Sequence, residues 1–194
     1  MINVDDALDS LKKFSYLGES KLKDGTILIG RAPHIAPFAW LHTLYPPLTE
    51  DEIANLEHQL GMTIPQPYCE FLKISNGLTV FNNTLALYGL RKRYGRSIGD
   101  AWQPLSILTR NVNERPTNAS TCMFFIGFYK KDGSLLYLDS NSGSVYLCDR
   151  YDASPRFSWS SFEQMILSEI KRLIKLFDRE GKLLNPAEGT LPDS

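Results

Sequence analysis

The sequence predicts an α+β fold: a twisted, mainly antiparallel sheet of about six strands, packed with N-terminal helices and a long C-terminal helix. Three observations lead there. Apolar residues recur at helical spacing over residues 49–74 and again over 160–177. Between these regions lie short apolar runs joined by Asn-, Asp- and Gly-containing turns, and such short connections dictate antiparallel pairing. Helices, then strands, then a helix, without strand–helix alternation, argue against a doubly wound parallel sheet.

Taken in order, residues 5–17 read as a short helix. Asp5 or Asp6 can accept a bond from a free N–H at its start, Ala7, Leu8, Leu11 and Phe14 share one face, and Gly18 stops it. Lys23-Asp24-Gly25 is a turn before a short strand at 26–29. From Arg31 to Pro47 four prolines break any periodicity, which predicts an irregular arm packed through Phe38, Trp40, Leu41, Leu44 and Tyr45. Thr49 and Glu52 form a capping box, Ile53, Leu56 and Leu60 line the helix that follows, and Gly61 ends it. Pro65 and Pro67 sit at the entrance of a second helix, where a missing N–H costs little, and Asn76-Gly77 provides a left-handed stop.

Runs at 78–81 and 85–88, separated by Asn82-Asn83-Thr84, read as a hairpin. A polar insertion follows from Gly89 to about Gln103, then a short strand at 105–108 and a loop at 111–120. Three strands come in quick succession at 122–129, 135–139 and 145–149. A second capping box at 160–163 opens the last helix, whose apolar face runs from Phe162 through Met165, Ile166, Ile170, Leu173 and Ile174 to Phe177. Gly181 ends it, and residues 183–194 read as a loose tail. No internal repeat is visible.

Composition narrows the function. The chain has 194 residues, 43% of them hydrophobic, with 21 Lys+Arg against 22 Asp+Glu and a formal net charge of −1. A chain of this length buries roughly 70% of its unfolded surface, enough for a proper core. Ordinary apolar content excludes a wholly disordered chain, and three distant cysteines (Cys69, Cys122 and Cys148) exclude a disulfide-stapled miniprotein. No overall positive field exists to release counterions, so direct nucleic-acid binding is not expected. The N-terminus shows no basic region followed by an apolar stretch, and Glu163, Glu169, Lys171, Arg172 and Lys175 interrupt the longest apolar segment. The expectation is therefore a cytoplasmic protein with no membrane partner.

Motifs for catalysis are sparse: no Gly-rich phosphate loop, no Gly-x-Ser-x-Gly elbow and no His-Glu-x-x-His pair. The histidines, His34, His42 and His58, read as surface or packing residues, and Cys69 as a core thiol, although a Cys–His hydrolase is the reading left from the enzyme class. No catalytic, cofactor-binding or metal residues are assigned, and no cofactor is expected. Charge is nevertheless uneven. Residues 1–60 hold nine acids against five bases, whereas residues 86–120 hold six bases against Asp100 and Glu114. Within that basic region Arg91, Arg93, Tyr94, Arg96 and Trp102 fit a solvated loop between strands, protein–protein hot spots, or cations and aromatic rings set for nucleic acid.

Leu48-Thr49-x-x-Glu52-Ile53-x-x-Leu56-Glu57 through Leu60-Gly61, followed by Ile64-Pro65-x-x-Tyr68-x-x-Phe71-Leu72 and Ser75-Asn76-Gly77, resembles the N-terminal signature of the SUKH superfamily, named in part for the yeast Smi and Knr cell-wall regulators. Ile126-Gly127, Asp132-Gly133 with Leu136-Tyr137-Leu138-Asp139, Val145-Tyr146 and Trp159-x-x-Phe162 resemble its second half. The resemblance implies a Smi/Knr-like domain over residues 45–182, preceded by an N-terminal helix, short strand and Pro-rich arm (1–44) and followed by a tail (183–194). It also implies an immunity protein of bacterial polymorphic toxin systems. Such a protein neutralises a cognate toxin, possibly a nuclease domain, by stoichiometric binding without catalysis, as a monomer or weak dimer. A regulatory or scaffold binding module of the same fold is the alternative. The expected contact residues are Arg91, Arg93, Tyr94, Arg96 and Trp102 of the insertion, with Asp139, Asp149 and Asp152 near the sheet.

Overall fold

A computed structural model describes residues 4–95, 102–187 and 189–192. Its centre is one nine-stranded antiparallel sheet in which spatial order follows chain order. The strands are β1 (Glu19–Lys21), β2 (Ile27–Arg31), β3 (Trp40–Leu44), β4 (Leu78–Val80), β5 (Leu85–Leu87), β6 (Met123–Tyr129), β7 (Leu135–Asp139), β8 (Val145–Cys148) and β9 (Pro155–Trp159). Among the described residues four α-helices accompany them: α1 (Val4–Leu11), α2 (Glu50–Leu60), α3 (Gln66–Ile74) and α4 (Phe162–Leu176). The α+β class is as expected.

The sheet has nine strands rather than about six, for two reasons. First, the Pro-rich stretch contains β3, whose Thr43 and Leu44 face Thr79 and Leu78 of β4 across a helical excursion. Partners on both sides hold this segment extended, a non-local effect that proline counting misses. β1 and β2 join through the same strand, so residues 19–44 are hydrogen-bonded into the same sheet as the rest. Second, Pro155–Trp159 adds an edge strand, where the missing proline N–H breaks no ladder. In the opposite sense, residues 105–108 do not form the expected strand. Ser106 makes one isolated bridge with Gly89, after which the chain turns helical and passes through a π-helical turn at Thr109–Asn113.

Helix boundaries follow local chemistry. The Thr49–Glu52 capping box is complete, with Thr49 Oγ1 accepting from the Glu52 N–H at 3.2 Å and Glu52 accepting from the Thr49 N–H at 3.1 Å. The cap of α4 lies one residue later than its sequence suggests: Ser161 Oγ accepts from the Gln164 N–H, and Gln164 reaches back to the Ser160 N–H. Residues 12–17 continue α1 as a 3₁₀ helix, ended at Gly18.

All four helices pack on one face of the sheet, in a core that includes Leu11, Leu56, Tyr68, Phe71, Phe162, Ile166 and Ile170. A smaller cluster of Phe125, Leu135, Tyr137, Cys148 and Ala153 covers part of the opposite face. A bulge between Phe125 and Gly127 brings Phe125 and Phe128 to this second side. The C-terminal segment is docked rather than loose. Arg172 donates to the Thr190 and Leu191 carbonyls at 2.9 and 3.2 Å and pairs with buried Glu169 at 2.6 Å, while Glu169 accepts from the Tyr129 hydroxyl at 2.5 Å.

Candidate functional site

The polar insertion leaves the sheet after β5 and returns through Leu105–Ile107. Its base is closed by the Gly89 N–H donating to Leu105 and the Ile107 N–H donating to Gly89, both at 3.0 Å. Asn76 pins it from α3's side. Its Oδ1 accepts from the Leu90 N–H at 2.6 Å, and its amide donates to the Leu90 carbonyl at 2.9 Å. Asn76 is thus not a left-handed helix stop; the extended cap is Ser75, and Gly77 carries the positive φ. This approach requires glycine at position 89, since a Cβ there would sit 2.5 Å from Asn76 Oδ1 and closer still to the Asn76 carbonyl.

Further along, Gln103 acts as an internal clamp. Its Oε1 accepts from the Lys92 and Arg93 N–H groups at 3.0 and 2.9 Å, and its amide donates to the Arg93 carbonyl at 2.9 Å. The Arg91 guanidinium lies 5.5 Å from the Tyr94 ring centroid, and its Nε donates to the Arg93 carbonyl. Lys92 pairs with Glu52 at the start of α2, and this hydrogen bond holds the Glu52 carboxyl below its usual range. These bonds hold the described part of the insertion, 89–95 and 102–105, and leave the Tyr94 ring 69% exposed, its hydroxyl 3.3 Å from Ser106 Oγ. Trp102 is half-buried and helps line a cavity of about 130 Å³ with Thr26, Tyr45, Lys92 and Arg93. Thr26 Oγ1 is buried there without a hydrogen-bond partner among the described residues. Arg96 lies outside the described residues.

The acidic candidates are arranged differently. Asp139 closes the β7–β8 turn by accepting from the Asn141 and Ser142 N–H groups. Asp149 and Asp152 lie at the other end of β8. Asp149 pairs with Arg156 at 2.6 Å. Asp152 accepts from the Ser154 N–H and the Asn118 amide, and these bonds, those from Ser154 first, lower its carboxyl pKa. The three carboxylates therefore sit at two ends of the sheet, each engaged in local structure. Arg91, Arg93, Tyr94 and Trp102 instead share one projection beside α2 and β3. Sequence reading missed the two amides that build it, Asn76 and Gln103. A polar amide at the end of a helix or inside a loop carries no local mark of a partner 14 or 10 residues away.

Nucleophile candidates are poorly activated. Burial raises the thiol pKa of Cys69, and that of buried Cys148 to about 12, so both hold their protons at neutral pH. His42 is wholly buried, and desolvation lowers it to about 3. Among the described residues no group of three or more His, Cys, Asp or Glu is placed to hold a metal ion, and no helix is long and apolar enough to cross a membrane.

Comparison with known families matches residues 47–168 to the SMI1 / KNR4 family (SUKH-1). The matched span starts at Pro47, three residues after the end of β3, and ends inside α4 at Ser168. No curated protein matches the sequence significantly.

Proposed function

Because this chain belongs to the SMI1 / KNR4 family (SUKH-1), we propose that it is an immunity protein, which binds a cognate bacterial toxin stoichiometrically and neutralises it without catalysis. The observation that carries this reading, beside the family, is the pinned projection after β5. Association is weakened when flexible loops must be ordered on binding, and a loop already fastened by Asn76 and Gln103 avoids much of that cost. Arg91, Arg93, Tyr94 and Trp102 are its anchors, of the residue types that dominate binding energy at protein interfaces. A stable complex buries about 800 Å² on each partner, so the anchors would be ringed by neighbouring surface, including the exposed side of α2. Asp139, Asp149 and Asp152 are proposed as peripheral contacts that steer encounter with a basic toxin such as a nuclease domain.

The test is to identify a candidate toxin domain by co-purification with this protein and to co-express the two. Growth protection and a complex of fixed stoichiometry on size-exclusion chromatography are expected. Toxicity unaffected by co-expression overturns the reading.

A further inference from the structure

The face of the sheet opposite the four α-helices is only partly covered, and what remains open is a groove. Two adjoining cavities, of about 190 and 370 Å³, share the walls Tyr88, Arg110 and Phe128. Their characters differ. The smaller adds Leu105, Ser106 and Thr109, so it is mostly apolar, and Leu105 is 40% exposed at its rim. The larger adds Lys130, Lys131, Asp132 and Arg150, so it is cationic.

That positive charge is largely uncompensated. Arg110 pairs with Glu114 at 3.2 Å, and Asp132 is taken by Ser134 and Arg156. Lys130, Lys131 and Arg150 have no carboxylate partner among the described residues. The bulge in β6 turns Phe128 toward this face, and the β6–β7 and β8–β9 turns supply the cations from either side of β7. The groove also adjoins the projection, because Ser106 on its wall meets the Tyr94 hydroxyl.

We propose that this groove binds an acidic polypeptide segment: an apolar side chain seats between Tyr88, Leu105 and Phe128, and flanking carboxylates meet Lys130, Lys131 and Arg150. The proposal rests on the reading that this chain binds a protein partner, and it names the chemistry of one segment of that partner, whatever the partner's net charge. Charge complementarity selects an anion. The apolar third selects a polypeptide over a nucleic acid, since Tyr88 is 4% exposed and its ring face is not open to stack on a base.

The probe is a short fluorescent peptide of Glu and Asp residues with one central Leu, titrated into the full-length protein by fluorescence anisotropy. Saturable binding that weakens with added salt is expected, lost when Lys replaces the peptide's acids and weakened when Ser replaces its Leu. The double variant K130E/R150E alters two exposed side chains and should weaken peptide binding at least about tenfold with an unchanged circular dichroism spectrum. Leu105→Ser should abolish the preference for Leu over Ser. No binding, equal binding of the Lys peptide, or displacement by a single-stranded oligonucleotide at equal concentration overturns the proposal. The toxin assay reads the other claim separately. Peptide binding without growth protection overturns the immunity reading alone, and protection without peptide binding overturns the groove alone.

Discussion

Asn76 and Gly89 form a pair in which each residue makes the other necessary. Asn76 is buried and satisfies both backbone groups of Leu90, and only a residue without Cβ lets it come so close. Asn76→Ala is expected to cost about 2 kcal/mol, because it leaves a backbone donor and acceptor unpaired. Gly89→Ala should cost a similar amount by forcing the two segments apart. Urea unfolding measures both, and the same variants should weaken toxin binding beyond their loss of stability. His42 gives a different signal. Its ring sits among Phe14 and Phe81, its Nδ1 accepts from the Phe81 N–H at 3.4 Å, and its Nε2 has no partner among the described residues. With a folded value of about 3 against an ordinary 6.5, the unfolded chain binds the extra proton between those pH values. Stability from this site is therefore complete above pH 6.5. It falls by about 1.4 kcal/mol per pH unit on acidification through that window. His42→Gln should flatten the profile of unfolding free energy between pH 6.5 and 5; an unchanged slope would assign the acid sensitivity elsewhere.

Among elements, the C-terminal segment was the least legible. Nothing in residues 183–192 marks them as packed, since the groups that hold them lie on α4 and β6. Arg172 bridges the buried Glu169 carboxylate and the tail carbonyls, so Arg172→Ala strands a charge and frees the tail together. A loss of about 3 kcal/mol is expected, with new sites of limited proteolysis after residue 182. The β4–β5 turn is also held from a distance. Phe81, Asn82 and Asn83 are consecutive left-handed residues, with φ of 46, 52 and 66°. Asn tolerates that region, whereas Phe does so at a cost of about 1–2 kcal/mol, offset here by stacking on Phe177 at 3.9 Å. The capping box of α2 was fully readable because both partners lie within four residues. The cap of α4 was misplaced by one because adjacent serines offer the same hydroxyl.

For the whole molecule, the meander divides labour between the faces of one sheet. The helix face carries the main core. The other face is only partly covered and carries polar and cationic surface. Tyr94→Ala and Arg93→Ala are expected to weaken the toxin complex by about 1–2 kcal/mol each in calorimetric titration while leaving the unfolding midpoint unchanged. Asp149→Asn with Asp152→Asn should alter chiefly the association rate at low salt, by stopped-flow, if the toxin is basic. These sites were legible in unequal measure. Arg91, Arg93, Tyr94 and Trp102 stand close together in the chain and remain together in the fold. Arg110, Lys130, Lys131 and Arg150 are scattered over forty residues and meet only because β5 to β8 are neighbours.

Sequence by itself determined the class, the helices from Thr49 onward, the central hairpins and the family, since each rests on spacing or turn chemistry within a few residues. Tertiary structure alone decided that residues 19–44 extend the sheet, that the tail docks on Arg172, and that two amides and four scattered cations shape the open surface. Strand pairing across the α2–α3 excursion, desolvation and the approach of distant charges are contacts between segments far apart in the chain, and a local pattern carries no record of them.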